Sequence, residues 1–207
     1  QDFRKGETGV GSMLTIVDRQ LDETSSAILR RQAIMGGLDF RHRFDDGRYR
    51  ITGSLATSAV RGTAAAIDRT QRNAVHYYNR PDAGLPYDPT RTSLSGTDIQ
   101  LKADKVAGDF TYGAQYERLS PGFETNDVGF LSRANARNQF LWYAVQLRKA
   151  TKVYRQWFSN FNQWSNYTAD GLRSELGGNV NSHMQFTNNW WLHFGQATLA
   201  APSIMMV

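Results

Sequence analysis

The chain contains no cysteine, which removes disulfides, thiol nucleophiles and thiolate metal sites from consideration. It also lacks any apolar run approaching the roughly 18 residues that a membrane-spanning helix needs, and its mean hydropathy is only -0.54. Those two shortages exclude a helical membrane protein and nothing more. A strand crossing a bilayer puts alternate residues in lipid, and the polar residues between them cancel the signal in any average. Proline is scarce, and three of the 5 prolines crowd into residues 79–95 (Pro81, Pro86, Pro89), so that stretch is expected to be irregular. Charge is not lopsided: 24 basic against 19 acidic residues give +5 and a pI near 9.6. The basic residues alternate with Asp, Gln and Thr instead of clustering on one face, which argues against nucleic acid as a partner. No charged n-region followed by an apolar h-region opens the chain at Gln1, so any secretory signal is expected to lie upstream or to have been removed.

What is present is a rhythm. Nine amphipathic stretches, near 9–19, 32–44, 49–58, 97–106, 110–118, 137–148, 153–164, 174–186 and 190–199, are joined by connections that alternate long and short. Short turns fall at 45–48, 107–109, 149–152 and 187–189, and long loops near 20–31, 59–96, 119–136 and 165–173. Bacterial outer-membrane barrels are wired this way, with short periplasmic turns and longer outer loops.

Within the stretches the period is two. One row of the second reads Ile34, Gly36, Leu38, Phe40, His42, Phe44, and the other Met35, Gly37, Asp39, Arg41, Arg43. Across Asp46-Gly47, a hairpin signal because both residues tolerate positive φ, Tyr49, Ile51, Gly53 and Leu55 oppose Arg50, Thr52 and Ser54. Ile99 and Leu101 alternate with Asp98, Lys102 and Asp104, and Phe110, Tyr112 and Tyr116 with Gln115 and Glu117. Between 137 and 164 both faces are partly apolar, as in Phe140, Leu141, Trp142 and Tyr143. Asp39, Arg41, Arg43, Arg50, Asp98, Lys102, Asp104 and Glu117 are therefore expected to line a hydrated lumen, as a cross-strand charge ladder or as a constriction that sets solute preference. Aromatics gather near the short turns, and Phe44, Tyr49, Phe110, Tyr112, Trp157, Phe186 and Trp190 are expected at one membrane interface.

The expected fold is all-β: an antiparallel up-and-down transmembrane β-barrel, with residues 1–207 a single domain. Bacterial single-chain barrels close with an even count of strands, so about nine strands imply a partial segment of a larger barrel. The alternative is a β-sandwich, although strands of ten or more residues exceed the five or six usual in soluble sheets. Residues 22–31 and 63–72 have helix-compatible composition, Val75 to Tyr78 could extend a strand, and 119–136 reads as a surface or inward-folded loop.

Several segments also carry a resemblance: VGSMLTIVDR (10–19), GGLDFRHRF (36–44), VHYYNRPDAG (75–84), SPGFETNDVGFLSR (120–133), NFNQW (160–164) and GGNVNSHMQFTNNW (177–190). Together, to about Phe194, they resemble the barrel region of bacterial outer-membrane proteins described as domain of unknown function 5916, which commonly follows a module similar to family 9 carbohydrate-binding domains. That module and later strands are not seen in this chain, and AAPSIMMV at 200–207 does not resemble the family's continuation. The resemblance implies a location in the outer membrane of a Gram-negative-type bacterium and offers no catalytic residues.

Direct signs of chemistry are few. His42, His76, His183 and His193 show no HExxH and no pairing for one metal. Ser182 and His183 are strand neighbours on opposite faces and cannot form a nucleophile–base pair. Glu124, Asn126 and Asp127 offer oxygens, without EF-hand spacing. Neither a metal, a cofactor nor catalysis is expected. The leading expectation is a non-enzymatic pore, transport conduit or anchor for a glycan-binding module. Its partners would be outer-membrane lipid, with polysaccharide or small solutes and further barrel strands or proteins. The alternatives are a surface or soluble β-sandwich that binds carbohydrate through Trp142, Trp157, Trp164, Trp190 or Trp191, and, more distantly, an envelope hydrolase.

Overall fold

A computed structural model describes residues 1–81 and 84–200. Ten antiparallel strands form one sheet in sequence order: β1 (Asp2–Phe3), β2 (Thr8–Asp18), β3 (Gln32–Phe44), β4 (Tyr49–Arg61), β5 (Ser93–Lys105), β6 (Phe110–Leu119), β7 (Ala136–Leu147), β8 (Tyr154–Tyr167), β9 (Arg173–Phe186) and β10 (Trp191–Ala200). Nine of them are the stretches expected from period-two patterning, and the short β1 is added by pairing of Asp2 with Gly9 and Phe3 with Thr8. The two ends of the strand order do not meet, so the sheet is open rather than closed into a barrel.

Turn chemistry fixes the register. Asp45, Asp46 and Gly47 all take positive φ (56°, 51° and 76°), and Arg48 N–H donates to the Asp45 carbonyl at 3.0 Å. The left-handed turn thus starts one residue before the expected Asp46-Gly47 pair and closes Phe44 opposite Tyr49. Three strands run at least three residues beyond the sequence pattern, and one of them is β8, which continues to Tyr167. β4 runs to Arg61 and β5 begins at Ser93, because the ladder pairs Arg61 with Ser93; the irregular proline-bearing segment therefore ends at 92.

Among the described residues both α-helices lie in the long loops, and a single 3-10 turn (Arg4–Gly6) joins β1 to β2. The helix α1 (Glu23–Ser26) is N-capped by Asp22 and α2 (Ala64–Arg72) by Thr63, whose side chains accept from Ser25 N–H and Ala66 N–H, each satisfying a donor that the first turn leaves unpaired. Val75 to Tyr78 do not extend a strand as expected. They form a turn after α2, because Asn73 Oδ1 accepts from the backbone N–H groups of Val75 and His76 (3.0 and 3.2 Å) and bends the chain back.

The two faces of the sheet have different fates. Ile67 of α2, with Tyr78, buries against Ala33, Val60 and Leu94. Phe123 of loop 120–135 joins Leu119 and Ala136 beside Met35 and Ala56. All the strand residues in both clusters have the parity of the charged rows, so the only hydrophobic cores among the described residues lie on the polar face, at the long-loop end. Among the described residues nothing covers the apolar face: Leu14, Leu38, Leu101 and Phe194 are 69, 59, 56 and 55% exposed.

Candidate functional site: a polar face closed at one end by its own loops

Register places the eight charged residues expected in a lumen on a single face. Arg50 Nε and Nη2 donate to Asp104 Oδ2 at 3.2 and 2.8 Å, and Lys102 Nζ lies 3.6 Å from Asp104 Oδ1. Gln100 Nε2 donates to Asp98 Oδ2 and Glu117 Oε1, both at 3.0 Å, and Asn138 donates to Glu117 Oε2 at 2.6 Å. Arg41 reaches Asp2 at 3.2 Å, Asp39 lies over Gly11, and Arg43 sits opposite Arg50 in the ladder. Towards β9 the charges give way to amides, Asn160 donating to Asn181 and Asn162 to Asn179 at 2.9 and 2.7 Å. These pairs join side chains that share one face, and they leave Arg41 Nε, Asp98 Oδ1 and Asp104 Oδ1 buried without a hydrogen-bond partner. A cavity of about 560 Å³ opens over this face beside Asp39, Arg41, Gln100, Lys102 and Gln115.

Above the ladder the long loops lock together. Loop 120–135 is stitched to β5 where Ser120 Oγ accepts from Thr97 N–H at 2.8 Å, and it can lie flat because Gly96 and Gly122 have no Cβ. A Cβ on Gly96 would stand 2.6 Å from the Gly122 carbonyl carbon and closer still to Phe123 N. The loop then delivers Glu124, whose N–H donates to Ser58 Oγ at 2.9 Å. From the other side the Asn73 turn delivers His76. Its Nδ1 lies 2.8 Å from the Pro121 carbonyl oxygen and its Nε2 2.9 Å from Glu124 Oε2. A carbonyl only accepts, so Nδ1 is the donor there, and a single proton is shared across the contact of Nε2 with the carboxylate.

Both side chains are shut away from water, with exposures of 0 and 1%. Burial by itself pushes the Glu124 carboxyl up. Hydrogen bonds from His76 and from the Asn126 backbone, with the Arg30 charge, outweigh it and hold the group below its ordinary value. Arg30 sits 3.5 Å from Glu124, donates to Thr70 Oγ1 at 2.9 Å and pairs with Asp127. Arg19 also reaches Asp127 at 2.8 Å. Thus loops 19–31, 62–92 and 120–135 converge on one buried polar knot. Loop 168–172 joins through Asn135, which accepts from Ala169 N–H at 2.9 Å.

With both ring nitrogens engaged, His76 has no free lone pair for a substrate, and the knot reads as a latch. Glu124, Asn126 and Asp127 do not converge as cation ligands, since Glu124 and Asp127 face His76, Arg30 and Arg19 while the Asn126 side chain binds Leu131. Among the described residues no group of three or more His, Cys, Asp or Glu could hold a metal. One pairing was missed: His183 and His193 stand directly opposite in β9 and β10, with Nδ1 atoms 2.7 Å apart and Trp191 stacked on His193 at 5.5 Å. The signal was present in the hairpin, because both residues are equidistant from residue 188. Two imidazoles remain short of the three protein ligands of a catalytic zinc site. Ser182 turns to the other face, accepting from Trp157 Nε1 at 2.8 Å.

Six of the seven expected interface aromatics share the apolar parity, and Trp190 lies just before β10. Phe44 and Tyr49 stack at 5.3 Å, with His42 against Phe44 at 5.9 Å. Phe110, Tyr112 and Trp190 are well exposed, while Trp157 and Phe186 are half-buried. The tryptophans do not form one platform: Trp142 overlies Gly113, Trp164 donates to Glu175 at 2.7 Å, and Trp190 lies in a turn.

In comparisons with known proteins, the family model described as Domain of unknown function (DUF5916) matches residues 23–202. The match starts after segment 10–19 and runs past Phe194, so it contains five of the six segments that carry the resemblance, including the 120–133 stretch that supplies Glu124. No curated protein and no solved structure matches the chain.

Proposed function

We propose that this chain, which belongs to the family described as domain of unknown function 5916, forms part of the wall of a non-enzymatic outer-membrane β-barrel. Its polar face lines the lumen, and its long loops narrow the outer mouth of a conduit for solutes. The observation that carries this reading is the segregation of charge across β2 to β10. Charged residues with the apolar parity (Asp18, Arg61, Lys105, Arg118, Arg137 and Arg155), and Arg173, which a register shift sets opposite Tyr167, occur only in the first or last two positions of a strand. All others stand on the face that bears the cap.

Energy supports lipid as the solvent of the bare face. Each large apolar side chain taken out of water is worth about 1.5–3 kcal/mol, and the uncovered row of leucines and aromatics sums to tens of kcal/mol. Lipid meets that demand without a second sheet, whereas a sandwich needs one packed about 10 Å away and the described residues form a single sheet. Unpaired sheet edges cost several kcal/mol per group in hydrocarbon, so further strands must complete the wall, from the same polypeptide or a partner. The second reading, a carbohydrate-binding sandwich, is disfavoured by the dispersal of the tryptophans.

Planar-bilayer recording on the full-length protein, after detergent extraction and reconstitution, tests the proposal. Discrete conductance steps that grow when the loop latch is broken are expected. A protein that stays soluble without detergent and never inserts would end the reading.

A further inference from the structure

We propose that the apolar face carries a binding site for lipid phosphate at its long-loop margin, centred on Arg118 and Arg137; the inference rests on the membrane reading above. The two residues are directly opposite in the β6–β7 ladder and share the parity of Tyr112, Tyr116, Leu141 and Tyr143. Like charges placed face to face across a ladder are destabilising, and nothing on this face offsets them. The apolar-parity rows of β5 to β8 contain no Asp or Glu. Arg118 is exposed and has no hydrogen bond or ion pair among the described residues. Arg137 is held in place by one bond, from Nη2 to the Ala169 carbonyl, which leaves its buried Nε without a partner.

Two guanidiniums side by side match the oxygens of a phosphate, which each can bind in fork geometry. The surroundings select a lipid as the source of that phosphate. Tyr116 precedes Arg118 on the same row, and Tyr167 stands directly opposite Arg137 on β8, the residue type that settles at headgroup level. Below the arginines the paired rows become Ala114 with Leu141, Tyr112 with Tyr143 and Phe110 with Val145, a track along which acyl chains can lie. A headgroup on Arg118 and Arg137 therefore brings its own hydrocarbon to a surface that needs it.

The test places full-length protein in phosphatidylcholine nanodiscs containing a small fraction of a phosphate-monoester lipid and measures which lipids stay bound after delipidation. Wild type should enrich the phosphate-monoester lipid roughly tenfold, the value of one charge-assisted hydrogen bond. The R118Q/R137Q variant should fall to parity, while R48Q/R148Q, which removes the same charge at the short-turn end, should enrich as wild type does. Equal enrichment by inserted wild type and R118Q/R137Q would overturn the site and leave the barrel reading intact. Displacement of the lipid by millimolar inorganic phosphate alone would show a soluble-anion site and overturn the lipid assignment. Failure of wild type to insert would remove both the barrel reading and the site.

Discussion

Replacing Glu124 by alanine should open the loops while leaving the wall standing. The substitution takes the only carboxylate partner from His76 Nε2 and the acceptor from Asn126 N–H, which bind it at 2.9 and 2.6 Å, inside a knot where Glu124 and His76 are 1 and 0% exposed. Arg30 keeps Asp127 and Thr70, so its loss is secondary. His76 Nε2 is left buried and unsatisfied at about 1–3 kcal/mol, while Asn126 is exposed and water can replace its acceptor; breaking a buried pair costs about 3–5 kcal/mol, and the two ranges meet at a cap weakened by about 3 kcal/mol. At 1.4 kcal/mol per tenfold, the open population of the cap rises on the order of 100-fold. Native-state hydrogen exchange on reconstituted protein reads this directly: Phe123, Glu124 and Ala134 amides, bonded to Ser120, Ser58 and Val75, should exchange that much faster while β3 to β5 ladder amides hold. The E124Q variant, which keeps an acceptor for Asn126 N–H, should lose less. Unchanged cap amides, or wall amides that loosen in step with them, would refute the latch.

Acid should act on the same latch. The Glu124 carboxyl is held below its ordinary value of 4.5 when folded, so its contribution is full above about pH 4.5 and is lost as pH falls through the depressed value; cap exchange should accelerate in that window in wild type and be flatter in E124Q. A G96A variant should displace loop 120–135, since the new Cβ meets the backbone of Phe123 and Gly122, at about 1–3 kcal/mol of overpacking, seen as tryptic cleavage at Arg133. Leu101→Arg, on the bare face, should cost about 2–4 kcal/mol when the protein folds into vesicles near the midplane; the neighbouring Gln100→Arg, on the polar face, should be nearly neutral in the same titration. Asp104→Ala should lower stability by about 1–3 kcal/mol because Arg50 loses both of its bonds, read from the denaturant midpoint in mixed micelles.

The wall was legible because its rule is local. Side chains two apart share a face in any strand, so Ile34 to Phe44 could be sorted without knowing their neighbours, and hairpin turns then carried the sorting from strand to strand. The ends of β4 and β5 were harder, since Ala59, Val60 and Leu94 blur the period where the polar face turns apolar beneath α2. The latch was invisible. His76 and Glu124 are 48 residues apart, and what joins them is the inward fold of loop 120–135 and the Asn73 turn, neither of which has a periodicity to read. The His183–His193 contact lay between these cases, for a symmetric hairpin count would have found it. Glu124, Asn126 and Asp127 were noticed as oxygen donors, but which charges would meet them depended on Arg19 and Arg30 arriving from a different loop.

Solvent contact along β5 and β7 tests the central claim most directly, and the absence of cysteine from these 207 residues allows single-site spin labels. Nitroxides at successive positions 99–103 and 139–143 of the reconstituted full-length protein should alternate with period two. Sites 99, 101, 103, 139, 141 and 143 should be relaxed by oxygen, which concentrates in hydrocarbon, and those between by a water-soluble nickel reagent. Labels on the leucine row that respond to nickel instead, or to neither reagent because protein covers them, would contradict a wall with one face in lipid.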